Sequence, residues 1–214
     1  MCWLLLGGCA DSVAAGPESY VVRPQDTLYS IAWRHDLDFR DLARWNGLGK
    51  DFHITVGQVL VLGPGKMPAP GKTPAPAKTP APPERVTPPA AVHGTLKWVW
   101  PTDRVGELRP VPGGGILVSG RLGQDVRAAS AGRVVYTGSG LRGYGNLIII
   151  KHADSLLSAY AHNREMLVHD GQEVVVGQVI ARMGEGAHQS PVLYFEIRQN
   201  GRPIDPVPLL PNIK

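Results

Sequence analysis

The stretch Val192-Leu193-Tyr194-Phe195-Glu196-Ile197-Arg198 decides how the C-terminal half of this chain is read. Its alternation predicts a β-strand whose two faces have different jobs. Leu193, Phe195 and Ile197 point one way, into a core, while Val192, Tyr194, Glu196 and Arg198 point the other. Working outward, further short strands are predicted at Arg133–Thr137, Leu147–Lys151, Leu157–Ala161, Glu173–Val175 and Val179–Ala181. Gly138, Gly143, Gly145, Gly171, Gly177 and Gly184 punctuate them as turns. The region 95–214 is long enough for one mostly-β core.

Upstream the composition shifts. The 214 residues include 26 glycines and 20 prolines, too many for one compact domain, so part of the chain is expected to be linker. That part is 64–94, where PAPGKT, PAPAKT and PAPPER follow one another. Proline at this density favours an extended polyproline II spacer, with a reach on the order of 90 Å. The overall composition, 43% hydrophobic and 19% charged, is that of a soluble globular protein. A net charge of +4 suits anionic surfaces but equally plain solubility, and no nucleic-acid motif is present. Cys2 and Cys9 are the two cysteines, which rules out a disulfide framework or a cysteine zinc site in the folded regions.

Residues 20–63 read strand, helix, helix, strand, a small α+β unit. Tyr20–Val22 is the first strand, and Pro24-Gln25-Asp26 turns into a helix with Asp26 as its N-cap, followed by Leu28, Ile31 and Ala32 at helical spacing. A second helix starts near Asp38, buries Phe39, Leu42 and Ala43, and stops at Asn46-Gly47. Val59–Leu62 closes the unit. Ahead of it, Met1–Cys9 is a short apolar run, and no segment reaches the roughly 20 apolar residues of a membrane-spanning helix.

Three resemblances extend this reading. Leu6-Gly7-Gly8-Cys9 resembles a bacterial lipobox, which implies acylation of Cys9 and, with Ala10 following, an outer-membrane anchor; residues 1–19 would then be a signal remnant and tether, with the real start codon upstream. Residues 20–63 resemble a LysM module in Tyr20–Ala32, Asp41–Gly47 and Val56–Leu60. LysM modules bind peptidoglycan glycan strands in a groove between two loops. By position these are Asp26, Thr27 and Leu28, and Ile54, Thr55, Val56 and Gly57. The family usually carries glycine where Gln25 stands. The alternative is that Asp26 caps, Leu28 is core, and the module is a spacer.

Residues 95–214 resemble the LytM/lysostaphin-type zinc peptidases, most clearly in Ala131–Tyr136, Gly143–His152, Tyr160–Asn163 and Leu193–Arg198. Active members bind zinc through His-x-x-x-Asp and the second histidine of His-x-His. Carried over, those positions are Gly113, Leu117 and Tyr194, with Val192 in place of the other histidine. Catalytic zinc needs about three protein ligands, so no cofactor is expected. His162 alone stands where the family has a catalytic histidine; His152, His169 and His188 follow no recognisable ligand spacing.

In this order, lipobox, LysM module, spacer and ligand-stripped LytM domain resemble the NlpD-type cell-division lipoproteins. The resemblance implies a non-enzymatic protein on the periplasmic face of the outer membrane, anchored in its lipid through Cys9. It implies activation of a periplasmic N-acetylmuramoyl-L-alanine amidase at the septum, with Gly113, Leu117, His162, Val192 and Tyr194 as the docking groove. A wall-binding structural tether and a peptidoglycan endopeptidase are the alternatives.

Overall fold

A computed structural model describes residues 18–49, 51–64, 96–103, 106–153, 155–186 and 189–212. The lipobox with Cys9, and nearly all of the Pro-rich segment, lie outside these residues.

The N-terminal unit is the expected βααβ fold. Strand β1 (Ser19–Val21) pairs antiparallel with β2 (Val59–Val61), placing Tyr20 opposite Leu60. Between them lie α1 (Leu28–Arg34) and α2 (Phe39–Trp45). The cap of α1 is Thr27 rather than Asp26. Thr27 and Ser30 form a capping box, each side chain accepting from the other's backbone N–H at 3.1 and 3.0 Å. Asp26 is drawn away because its carboxylate accepts from the Tyr20 hydroxyl at 2.8 Å and the Arg23 N–H at 2.9 Å, and faces Arg34 at 3.4 Å. It ties β1 to α1. Asp38 caps α2, accepting from the Arg40 N–H at 2.7 Å. The helix ends at Asn46, whose amide bonds Leu42 O and both backbone groups of Val61, and Gly47 turns the chain at φ +60°. Leu28, Ile31, Phe39, Leu42 and Leu60 are buried between helices and hairpin.

The C-terminal domain is mostly β. Its strands are β3 (Leu108–Pro110), β4 (Ile116–Ser119), β5 (Asp125–Arg127), β6 (Gly132–Gly138), β7 (Asn146–Lys151), β8 (Leu156–Met166), β9 (Glu173–Val174), β10 (Val179–Met183), β11 (Val192–Gln199) and β12 (Arg202–Ile204). They run in the order β3-β4-β11-β8-β7-β6-β9; β10 joins β8 to β5, and β12 pairs with β11. The six strands read from the sequence are β6 to β11. Strands β3, β4, β5 and β12 carry weak signals, being short and interrupted by Pro110, Gly113–Gly115 and Pro203. The β11–β12 hairpin turns at Asn200-Gly201, both at positive φ (+50° and +76°), the chemistry of a tight two-residue turn.

β11 is covered on both faces. Leu193, Phe195 and Ile197 join Val118, Val134, Ile148, Ile150 and Tyr160 in the domain's main core. The opposite face meets the N-terminal unit, because one continuous apolar cluster runs from Ile31, Trp33 and Phe39 to Tyr136, Ile149 and Tyr194. The contact is specific. Arg198 Cζ stands 3.9 Å from the Trp33 ring centroid and its guanidinium donates to Trp33 O at 3.0 Å, and Arg40 donates to the Ser155 hydroxyl. Gly201 abuts the backbone of Leu37 and Asp38 so closely that a Cβ would collide with it.

Candidate functional site

Two features of the described residues bear on function: the groove end of β11, and a cleft between the two domains.

β11 sits between β4 and β8, which sets Tyr194 opposite Leu117 on one side and Ala161 on the other. The Tyr194 ring is flanked by Tyr144 at 5.5 Å and His162 at 6.4 Å. Its hydroxyl donates to the Glu196 carboxylate, and lies 3.3 Å from Gly114 O. Burial first, then the Glu196 charge, push this phenol far above its ordinary pKa, so it stays protonated. Glu196 in turn accepts from Arg198 Nε, and Arg198 pairs with Asp36 at 2.9 Å. Tyr194, Glu196, Arg198 and Trp33 thus form one chain of polar contacts linking the groove to the N-terminal unit.

His162 has φ +62°, fixed by its N–H donating to Tyr144 O at 2.9 Å and its carbonyl accepting from Gly184 N at 2.8 Å. Its imidazole is half-buried, and burial lowers its pKa. Gly186 lies between it and Val192, since a Cβ there would meet both side chains. Leu117, His162, Val192 and Tyr194 therefore lie near one another. Gly113 does not. It is exposed at the β3–β4 turn (φ +90°), and Gly114 and Gly115 are the residues that touch Tyr194.

The donor set does not fit a zinc ion. Gly113 has no side chain, Leu117 is aliphatic, and Tyr194 keeps its proton on a carboxylate. Among the described residues no cluster of three or more His, Cys, Asp or Glu side chains forms. His152 belongs to the core: its ring nitrogens bond Ala131 O and Ser158 Oγ, both at 2.7 Å, and burial pushes its pKa down to about 4.

The cleft has a volume of about 330 Å³. Asp26, Thr27, Leu28 and Ile54, from the two loops expected to bind glycan, line one wall, although Leu28 is itself core. Thr55, Val56 and Gly57 lie outside it, exposed on the turn before β2. Gln25 adopts φ +68°, so the turn does demand the left-handed conformation usually given to glycine. Its side chain is exposed and does not line the cleft. The facing wall comes from the β domain, through Arg133, Val135 and Gly171. Reading the N-terminal unit alone misses them, because they lie about a hundred residues away in sequence and no local pattern marks them.

Residues 20–63 match the LysM domain, and residues 112–206 match peptidase family M23. A lipoprotein of Pseudomonas aeruginosa named as an NlpD/LppB homolog is 46% identical, over 90% of this chain and 76% of its own. The lipoprotein YgeR of Escherichia coli is 40% identical, over 97% and 89% respectively. The murein hydrolase activator NlpD of Escherichia coli is 35% identical, over 90% and 68%. A crystal structure of an M23-type peptidase from Pseudomonas aeruginosa superposes with a TM-score of 0.50 at 25% identity, over 58% of this chain and 54% of that one.

Proposed function

Because this chain belongs to the family of NlpD/LppB lipoproteins, we propose that it is a non-enzymatic activator of a periplasmic N-acetylmuramoyl-L-alanine amidase, acting at the septum. In this reading Cys9 is acylated and holds the chain on the periplasmic face of the outer membrane, while the LysM unit grips glycan strands. The observation that carries it is Tyr194, a phenol bonded to Glu196 with Leu117 opposite; by resemblance to the zinc peptidases, these two stand at positions of metal ligands. Neither can serve the ion that makes hydroxide from water near neutral pH. What is left beside the buried Val192 and Tyr194 is the half-buried pair Leu117 and His162, which this reading offers to a partner's side chains. Activation requires that this surface bind the open amidase better than the closed one; a tenfold preference corresponds to about 1.4 kcal/mol.

The test is dye release from labelled peptidoglycan sacculi by the full chain, a purified periplasmic amidase, and the two together. Release by the mixture well above the amidase alone, with none from the chain alone, is the expected result. Release by the chain alone would overturn the reading.

A further inference from the structure

We propose that the cleft between the domains is a composite glycan site whose β-domain wall recognises a carboxylate carried by the bound strand. The inference rests on the LysM unit being the glycan binder and adds to it a second, cationic wall.

Arg133 and Lys151 are directly opposed on neighbouring strands β6 and β7. Like charges so placed destabilise a sheet unless something offsets them. Arg133 bonds Gly171 O through Nε at 3.1 Å and faces Glu173 at 3.3 Å, both side chains being mostly exposed, so this counter-charge is well solvated. Lys151 has no carboxylate within ion-pair distance among the described residues. Its ammonium sits instead 5.4 to 5.8 Å from the rings of Phe39, Phe52 and Tyr29. Arg40, its second cationic neighbour, bonds a neutral hydroxyl. Partial burial depresses the Lys151 ammonium, and the charges of Arg40 and Arg133 depress it further, which places the three cations within electrostatic reach of one another. Tyr29 and Phe52 both line the cleft beside Arg133.

The lining therefore combines aromatic and aliphatic faces for sugar rings with a cationic edge that Arg133 presents and that Lys151 and Arg40, outside the lining itself, reinforce. Asp26 and Asp51 also line it, but Asp26 is already engaged by Tyr20, Arg23 and Arg34. A neutral glucosamine polymer would not use such an edge. A glycan of peptidoglycan would, through the lactyl carboxylate of its muramic residues or through a carboxylate of the attached peptide stem.

Calorimetric titration of the full chain with three probes tests this: chitotetraose, a peptide-free tetrasaccharide of alternating glucosamine and muramic residues, and the same tetrasaccharide with its peptide stems. The expected result at low salt is about five- to tenfold tighter binding of a carboxylated probe than of chitotetraose. An advantage already present in the peptide-free probe assigns the lactyl group; one that needs the stems assigns the peptide. Arg133→Ala, and separately Lys151→Met, which keeps the contact with the rings, should each bring the ratio of carboxylated probe to chitotetraose to within about twofold. Chitotetraose binding without any such advantage, or an advantage that survives both substitutions, overturns the composite site and leaves the LysM reading intact. Absence of binding by all three probes overturns both.

Discussion

The two faces of β11 are buried to nearly the same degree, yet they are built on different principles. On one, Leu193, Phe195 and Ile197 are sealed by apolar side chains of their own domain. On the other, Tyr194, Glu196 and Arg198 are covered by a polar chain that ends on Trp33 of the neighbouring domain. The first face draws its stability from area removed from water, which tolerates no opening. The second depends on each group keeping its partner, and the partner of Arg198 belongs to a separate folding unit. One face makes the domain; the other registers whether its neighbour is in place.

The largest blow to the sealed face is Phe195→Ala, expected to cost about 3–5 kcal/mol in chemical denaturation of the β domain and to leave the N-terminal unit folded. On the polar face Glu196→Ala leaves the Tyr194 hydroxyl with only its longer bond to Gly114 O and removes one of two acidic partners of Arg198. A loss of about 3 kcal/mol is expected, together with a loosened Arg198–Trp33 contact detectable as changed tryptophan fluorescence. Acid tests the sealed side by a different route. His152 is neutral in the fold with a pKa of about 4, against about 6.5 when unfolded. Between these values the unfolded chain takes up a proton that the folded one refuses, so stability falls as pH drops from 6.5 towards 4, by about 3 kcal/mol at the limit. Replacing His152 with Asn should flatten that part of a Tm-versus-pH curve. The smallest effect belongs to Tyr194→Phe, which deletes one hydroxyl at about 1 kcal/mol. If the groove docks an amidase, Tyr194→Ala should abolish stimulation in the dye-release assay while the chain stays folded.

Much of this architecture could be read from local pattern. Period-2 alternation located β11 and assigned its faces, and the helical spacing of Ile31, Phe39 and Leu42 gave the N-terminal unit. Local pattern misled at Asp26, where a good capping residue is held by Tyr20 and Arg34, partners that spacing alone does not reveal. The β11–β12 hairpin was not predicted: Asn200-Gly201 has the residues of a two-residue turn, but Pro203 conceals the strand beyond it. Of the groove, the types and positions of Leu117, Val192 and Tyr194 were readable, whereas the displacement of Gly113 depends on the turn geometry of three successive glycines. The docking of one domain on the other left no trace in sequence. It is made by Trp33 with Arg198 and by Lys151 among three rings, pairs whose members lie in regions that spacing treats separately.

Gly201 turns this junction into something adjustable. It meets the backbone of Leu37 and Asp38 where no side chain has room, and it belongs to neither the groove nor the cleft. Gly201→Asn, a residue that tolerates the left-handed backbone held here (φ +76°), would act as a shim prising the two units apart. Solution scattering would gauge the gap, and each functional assay could then be plotted against it, making the distance between the domains an experimental variable.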